Sequence, residues 1–220
     1  GELLAEIDKT DLYADLAENE AGLNIENLKL ANILSGAKSE EVGVQEAKVL
    51  SAETNLKTSK ENLISSIYSS YTTTDDSVRN KLDSLYTNPK DGSPTFNISV
   101  SDSQLKLNLE SGRSEIESLL KSLYIKINTL NSYSEIDGYY LDAKNVLEKT
   151  KSLLDNAGIA VNNASPSSSL SADTLSTYKV SISTARTNTN TTLASLNSFI
   201  QAYESAKSTL DIEQKTLSLK

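Results

Sequence analysis

The sequence predicts an all-α fold: an elongated, antiparallel up-down-up-down four-helix bundle on a two-helix coiled-coil stalk, with a short N-terminal strand fragment. Two observations carry this prediction. Only 8 Gly and 3 Pro occur in 220 residues, too little turn chemistry for a many-stranded sandwich or an α/β fold but suited to a few long helices. Apolar residues also recur at alternating steps of four and three along most of the chain, the 3.5-residue period of coiled-coil-like packing.

In chain order, Gly1–Asp8 alternates imperfectly and reads as a strand belonging to a neighbouring sheet. Thr10 is read as an N-cap, and Leu12, Leu16, Leu23, Ala31 and Leu34 keep helical spacing until Ser35-Gly36 supplies a stop. A first helix is expected over about 11–34. Ser39 is expected to cap the next helix, with Glu40 and Glu41 in its first turn, where the helix dipole favours carboxylates. Val49, Leu56, Leu63, Ile67, Tyr71, Val78, Leu82 and Leu85 continue the stripe, with no Gly or Pro between Val44 and Asn88. At about 1.5 Å per residue this is a rod of roughly 70 Å.

Asn88–Pro94 breaks the rod with two of the three prolines and an Asp-Gly turn signal. Phe96, Ile98 and Val100 then alternate as a short extended stretch. Ser101–Gln104 has the S-x-x-Q form of a capping box, and Leu105, Leu109, Gly112, Ile116, Leu119 and Leu123 step by four and three. These residues predict a helix over about 102–131 in preference to a hairpin, with Gly112 weakening it by about 1 kcal/mol relative to Ala. Ser134 is expected to begin a third long helix, striped by Ile136, Tyr140, Ala143, Leu147, Thr150, Leu154, Ala157 and Val161. The polar run Asn162–Ser169 ends it. After Ser171 a last rod carries Leu175, Tyr178, Ile182, Ala185, Thr189, Leu193, Leu196, Ile200, Tyr203, Leu210 and Leu217.

Short loops between long helices require antiparallel neighbours. The first and last rods exceed the two middle helices and are expected to form the stalk, with 11–34 and the tail after about 205 at its base. The organisation read from this is a strand fragment at 1–9, first stalk helices at 10–60, the bundle at 61–200 and a returning stalk helix at 201–220. Entry and exit at one end is the topology of an insertion. The chain starts at Gly rather than Met, with no leader-like or membrane-spanning apolar run, and is expected to be a piece of a longer protein.

Composition narrows the chemistry. Lys+Arg 21 against Asp+Glu 30 gives a net charge of -9, with basic residues scattered among carboxylates, which argues against nucleic acid as a partner. The absence of Cys and His removes thiolate and imidazole metal sites, disulfides, Ser-His triads and Cys nucleophiles. Glu40-Glu41 and Asp75-Asp76 are read as solvated acidic turns, since helix neighbours point apart. Asp102, Asp137, Asp142 and Asp155 do not have the spacing of a calcium loop. The expectation is a non-enzymatic chain with no cofactor and no metal. Tyr71, Tyr140, Tyr178 and Tyr203 are read as core residues with hydroxyls at the rim, a pocket built from them being the alternative. The Ser/Thr/Asn-rich stretch 181–198, with Thr189 and Thr192 on the stripe, is read as a close-packing seam, with a ligand seam as the alternative. Asn97-Ile98-Ser99, Asn163-Ala164-Ser165 and Asn190-Thr191-Thr192 match a glycosylation sequon but are given no meaning. The turn-rich loops at 88–100 and 162–170 are the candidate partner-contact tip, through Asn88, Pro89, Asp91, Gly92, Pro94, Ser165 and Pro166.

Gly1–Asp8 followed by Thr10-Asp11-Leu12 resembles the last strand of the first lipoyl half-motif of HlyD-like membrane fusion proteins, the periplasmic adaptors of efflux and secretion systems. Ser35-Gly36-Ala37-Lys38-Ser39-Glu40-Glu41-Val42 is similar to the small-residue, Glu-Glu break after the first adaptor helix. Val78–Lys81, Phe96–Ser99 and Ser183–Asn188 resemble an adaptor subgroup whose hairpin is expanded into a bundle. The resemblance implies an extracytoplasmic spacer, membrane-anchored through regions outside this chain. Its implied partners are an inner-membrane transporter, an outer conduit and other copies of itself in a homo-oligomeric ring. The Arg-Leu-Ser pattern by which many adaptor tips dock is absent from 86–102 and 162–171. Two other classes share the predicted bundle: a ligand-sensing extracytoplasmic domain of a chemoreceptor or sensor kinase, and a structural surface protein.

Overall fold

In the computed structural model, which describes residues 1–2, 9–36 and 39–219, helix dominates. The elements are α1 (Thr10–Leu34), α2 (Ser39–Asp75), a π-helical turn (Asp76–Leu82), a 3₁₀ turn (Asp83–Leu85), β1 (Tyr86–Thr87), β2 (Thr95–Phe96), α3 (Ser103–Ile127), α4 (Ile136–Asn163) and α5 (Ala172–Ser218). The strand expected at Gly1–Asp8 and the centre of the break at Ala37-Lys38 lie outside the described residues.

The chain divides into two compact units, one of residues 1–52 with 210–220 and the other of 53–209. In the first, α1 begins at Thr10 itself, so Lys9 occupies the N-cap position and makes no side-chain cap bond. The helix stops where expected: Ser35 N–H donates to Ala31 O, and Gly36 takes a φ of 70°, open to glycine without a Cβ clash. None of the α1 residues is buried, so the stripe Leu12, Leu16, Leu23 and Leu34 makes no core here. In the same unit the start of α2 meets the end of α5 through Gln45, whose Nε2 donates to Glu213 O at 3.0 Å and Glu213 Oε2 at 2.6 Å.

The second unit is the four-helix bundle. Thr73 with Thr192 and Ser77 with Thr189 join α2 and its π-helical turn to α5 in antiparallel register. Tyr68 Oη donates to Ile127 O, and Arg79 bonds Glu117, which run α2 and α3 antiparallel. Lys126 with Asp142 and Lys149 with Glu115 do the same for α3 and α4, as do Tyr140 with Asn197 and Arg186 with Asp155 for α4 and α5. The order is up-down-up-down. Consequently the connections 86–102 and 164–171 share the bundle end away from Glu53 and Thr209, and the 128–135 turn lies at the opposite end of α3 and α4.

Burial follows the stripes. On α4, Ile136, Ala143, Leu147, Thr150, Leu154, Ala157 and Val161 are buried, and on α5 Leu175, Ile182, Ala185, Thr189 and Leu196 are. The apolar core forms two clusters. One holds Val78, Leu82, Leu109, Leu120 and Leu154 near the 86–102 end, and the other holds Leu63, Ile67, Leu123, Leu147 and Leu196. Partly buried Tyr71 packs against both. Buried Ser70, Thr74, Ser77, Thr150 and Thr189 fall at this level of the core. The polar seam at Thr189 and Thr192 is therefore a contact between helices, as its bonds to Ser77 and Thr73 show.

Ser39, read as the cap of α2, is instead its first helical residue, and in the second unit four more boundaries depart from the sequence reading. The second rod is not α-helical to residue 88: one π-helical turn and one 3₁₀ turn finish it at Leu85. The cap of α3 is Asp102, not Ser101, with Asp102 Oδ1 accepting from Gln104 N at 2.9 Å and Leu105 N at 3.2 Å. That helix ends at Ile127, four residues before the expected end. Ser134 does not start α4; its Oγ accepts from Asn131 N within the preceding turn. Gly112 also has a packing role beyond its helix cost, because a Cβ there would lie 3.3 Å from Leu153 Cδ1 on α4.

Candidate partner-contact site

The two loops at the shared bundle end are built differently. After Leu85, β1 pairs with β2 as Tyr86 opposite Phe96 and Thr87 opposite Thr95. The two rings meet edge to face at 5.1 Å, and Tyr86 Oη donates to Leu109 O at 3.0 Å. Phe96 N donates to Glu110 Oε1 at 3.0 Å, tying the hairpin to α3. Burial pushes the Tyr86 hydroxyl far above its ordinary pKa, so it remains a donor. Between the strands, Asn88 takes a φ of 53°, a left-handed conformation that asparagine tolerates better than most residues.

Of the candidate tip residues, Asn88, Asp91 and Gly92 are exposed and Pro89 is half-buried. Pro94 is buried instead: it leads directly into β2 and shares the buried alternation of Phe96 and Ile98. It is not available to a partner. On the other loop, Ser165 and Pro166 are exposed. A two-way backbone pairing of Ser167 with Leu170 shapes this loop, and Ser171 Oγ caps α5 by accepting from Thr174 N.

Ser165 and Pro166 face Asn97, Ile98 and Ser99 across a recess of about 660 Å³. Tyr178 belongs to its wall and donates to Ser84 O at 3.2 Å. Asn88, Pro89, Asp91 and Gly92 do not line it. The sequence reading thus named one wall of the recess and missed the other.

Beneath the tip lies a buried ionic network. Fully buried Arg113 grips Asp83 with two bonds, Nε to Oδ1 at 2.6 Å and Nη2 to Oδ2 at 3.0 Å, and sends Nη1 and Nη2 to Glu117 Oε2 at 3.2 Å. Arg79, on the π-helical turn, joins Asp75 at 2.6 Å and Glu117 at 3.0 Å. The planar guanidinium suits such forked pairing. Arg79 Nε and Thr74 Oγ1 are buried without a hydrogen-bond partner. The network fixes the π-helical and 3₁₀ turns against α3, and so sets where Tyr86 begins the hairpin. Its sequence signal was a charged residue on the apolar stripe, since Arg113 follows Leu109 by four and precedes Ile116 by three.

Burial raises the Glu117 pKa, but hydrogen bonding and charge from Arg79 and Arg113 outweigh this and hold it below its ordinary value of 4.5. A folded-state pKa below the unfolded value contributes stability that is full above about pH 4.5 and is lost as the pH falls through the lower folded value. Glu117→Gln should therefore be less stable at neutral pH and show a shallower loss of stability below about pH 4.5. Urea denaturation across a pH series checks this; parallel acid limbs in the two proteins would refute it.

Asp75 and Asp76 also have structural partners: Asp75 pairs with Arg79, and Asp76 accepts from Asn80 and Lys81. Tyr140 and Tyr178 bond at the rim as read, while Tyr71 stacks against Tyr124 at 5.6 Å. Among the described residues, no group of three Asp or Glu is placed to hold a metal ion, and no helix is long and apolar enough to cross a membrane.

Comparison with protein-family models, curated proteins and solved structures finds no match. What the chain does must be argued from the arrangement itself.

Proposed function

We propose that this chain is a non-enzymatic, extracytoplasmic adaptor segment, a spacer and assembly element of a transmembrane efflux or secretion complex. In this reading the full-length protein is membrane-anchored outside the segment, assembles as a homo-oligomeric ring and joins an inner-membrane transporter to an outer conduit. The observation that supports it is topological. Two of the bundle's three connections, 86–102 and 164–171, lie at one end, while its first and last residues, Glu53 and Thr209, lie toward the other. A bundle inserted into another domain at one end is left free to present the opposite end to a partner. The resemblance of the chain to HlyD-like adaptors gives that arrangement its function.

The test replaces Asn88–Ser93 with a Gly/Ser linker in the full-length protein. Pro94 is kept because it is buried. Stability should change by no more than about 1 kcal/mol, since the replaced residues are largely exposed, whereas export should fall if the tip meets the outer partner. Normal export with normal expression and ring assembly would refute the tip contact.

A further inference from the structure

We propose that the recess between the two tip loops binds a neutral oligosaccharide, a ligand site that goes beyond the adaptor reading and does not depend on it. The recess is the largest hollow described in this chain, and its volume of about 660 Å³ falls in the range of small-ligand sites. Fourteen residues line it and none is charged, although charged residues make up 23% of the chain. Each of the four other hollows described has a charged residue in its wall, such as Arg186, Asp76, Glu40 or Lys149. The wall is instead hydroxyl and amide. Asn97, Ser99, Asn163 and Ser165 contribute groups of this kind, and beside them stand Ile98, Leu170 and the Tyr178 ring.

Part of this polar wall is unengaged, while Ser84, Ser167, Ser169, Thr174 and Tyr178 are bonded within the chain. Exposed Asn97 accepts at Oδ1 from Thr87 Oγ1 at 2.7 Å, and its Nδ2 donor has no partner among the described residues. Among the described residues, the exposed side chains of Ser99, Asn163 and Ser165 have no hydrogen-bond partner. The recess also lies where α4 ends and α5 begins, so backbone acceptors from the former and the capped start of the latter border it.

A wall of neutral donors and acceptors with Leu170 and the Tyr178 ring beside them matches the surface of a sugar, whose hydroxyls both donate and accept and whose C–H faces pack on apolar groups. Other ligand classes fit less well. A phosphate or nucleic acid needs cations, which the wall lacks in a chain of net charge -9. An anionic glycan meets the same obstacle. An extended peptide needs a sheet edge or an apolar groove, and the strands at this end among the described residues, β1 and β2, have two residues each and pair with one another.

The experiment records amide shifts of the isotopically labelled chain during titration with chitotetraose, maltotetraose, tetragalacturonate and a neutral Gly-Ser tetrapeptide, each to about 10 mM. At least one neutral sugar should shift Asn97, Ser99, Ser165 and Thr174 together, with a Kd on the order of 1 mM, as expected for a small polar ligand in an open recess. Ser99→Arg and Ser165→Arg, both at exposed loop positions, should each weaken that binding by about tenfold or more. Thr191→Arg, in the hollow between α2 and α5, should leave it unchanged. Sedimentation with insoluble chitin then separates a polymeric glycan source from a free oligosaccharide, and capture by either supports the site. No shift with any neutral sugar, equal shifts with tetragalacturonate or the tetrapeptide, or shifts confined to residues outside the recess would each overturn the proposal. The tip-linker export assay is a separate readout, so the adaptor reading can fail while sugar binding stands, or the reverse.

Discussion

Arg113→Ala should lower the unfolding free energy by about 3–5 kcal/mol, because it strands the Asp83 carboxylate and weakens the pairing of Glu117 in a protein interior. Asp83 would lose both of its bonds to the guanidinium, and Glu117 would keep only Arg79 and the distant Lys121. The cost comes from the groups left behind more than from the value of the pair. Arg113→Met combined with Asp83→Asn and Glu117→Gln, which removes these three charges, leaves Arg79 paired with Asp75 and retains much of the volume, should therefore recover most of the loss. Urea denaturation of the three proteins measures this. A loss under about 1 kcal/mol for Arg113→Ala would mean that water enters the site and the network is not a buried one. Because Asp83 begins the 3₁₀ turn that feeds β1, Arg113→Ala should also raise amide exchange in the hairpin before it does so at the 128–135 turn.

The same network shows why part of the molecule was legible in the sequence and part was not. Helix stripes are periodic, so Leu63, Ile67, Leu147, Leu154 and Ile182 could be placed in the core from spacing alone. Each is buried. A loop end depends on partners distant in sequence, and spacing says nothing of these. Asp102 displaced Ser101 as the cap because its carboxylate reaches two amides of the first turn. Pro94 reads as a surface breaker by type, yet it falls on the buried face with Phe96 and Ile98 in the alternation of the extended stretch, Thr95 and Asn97 being exposed. Likewise, the stripe on α3 passed through Gly112 and Leu119, whereas the bundle buries Arg113 and Leu120. A slip of one residue within a four-three pattern is small in sequence but turns the helix by about 100°. The exposed stripe of α1 is the converse case, where periodicity is present but the described residues provide no burial.

The two apolar clusters should respond separately to truncation. Leu120 belongs to the one near the tip and Leu147 to the one beyond the Ser70, Thr74, Ser77, Thr150 and Thr189 level, and both side chains are fully buried. Truncating either to Ala removes apolar contacts and leaves a cavity, and should cost about 2–5 kcal/mol. Lys121→Ala and Lys151→Ala, on the same two helices, remove the exposed partners of Glu117 and Asp155 and should stay within about 0.5 kcal/mol. Equal effects for the leucines and lysines would overturn the assignment of the core faces. The leucine variants should also differ from each other in where they loosen the chain. The polar level provides hydrogen bonds such as Ser77 to Thr189 but little apolar burial, so strain in one cluster should pass poorly to the other. Leu120→Ala should accelerate amide exchange mainly in 105–116 and 153–161, and Leu147→Ala mainly in 123–127 and 136–146. Identical exchange patterns would show that Tyr71, packed against both clusters, couples them into a single cooperative core.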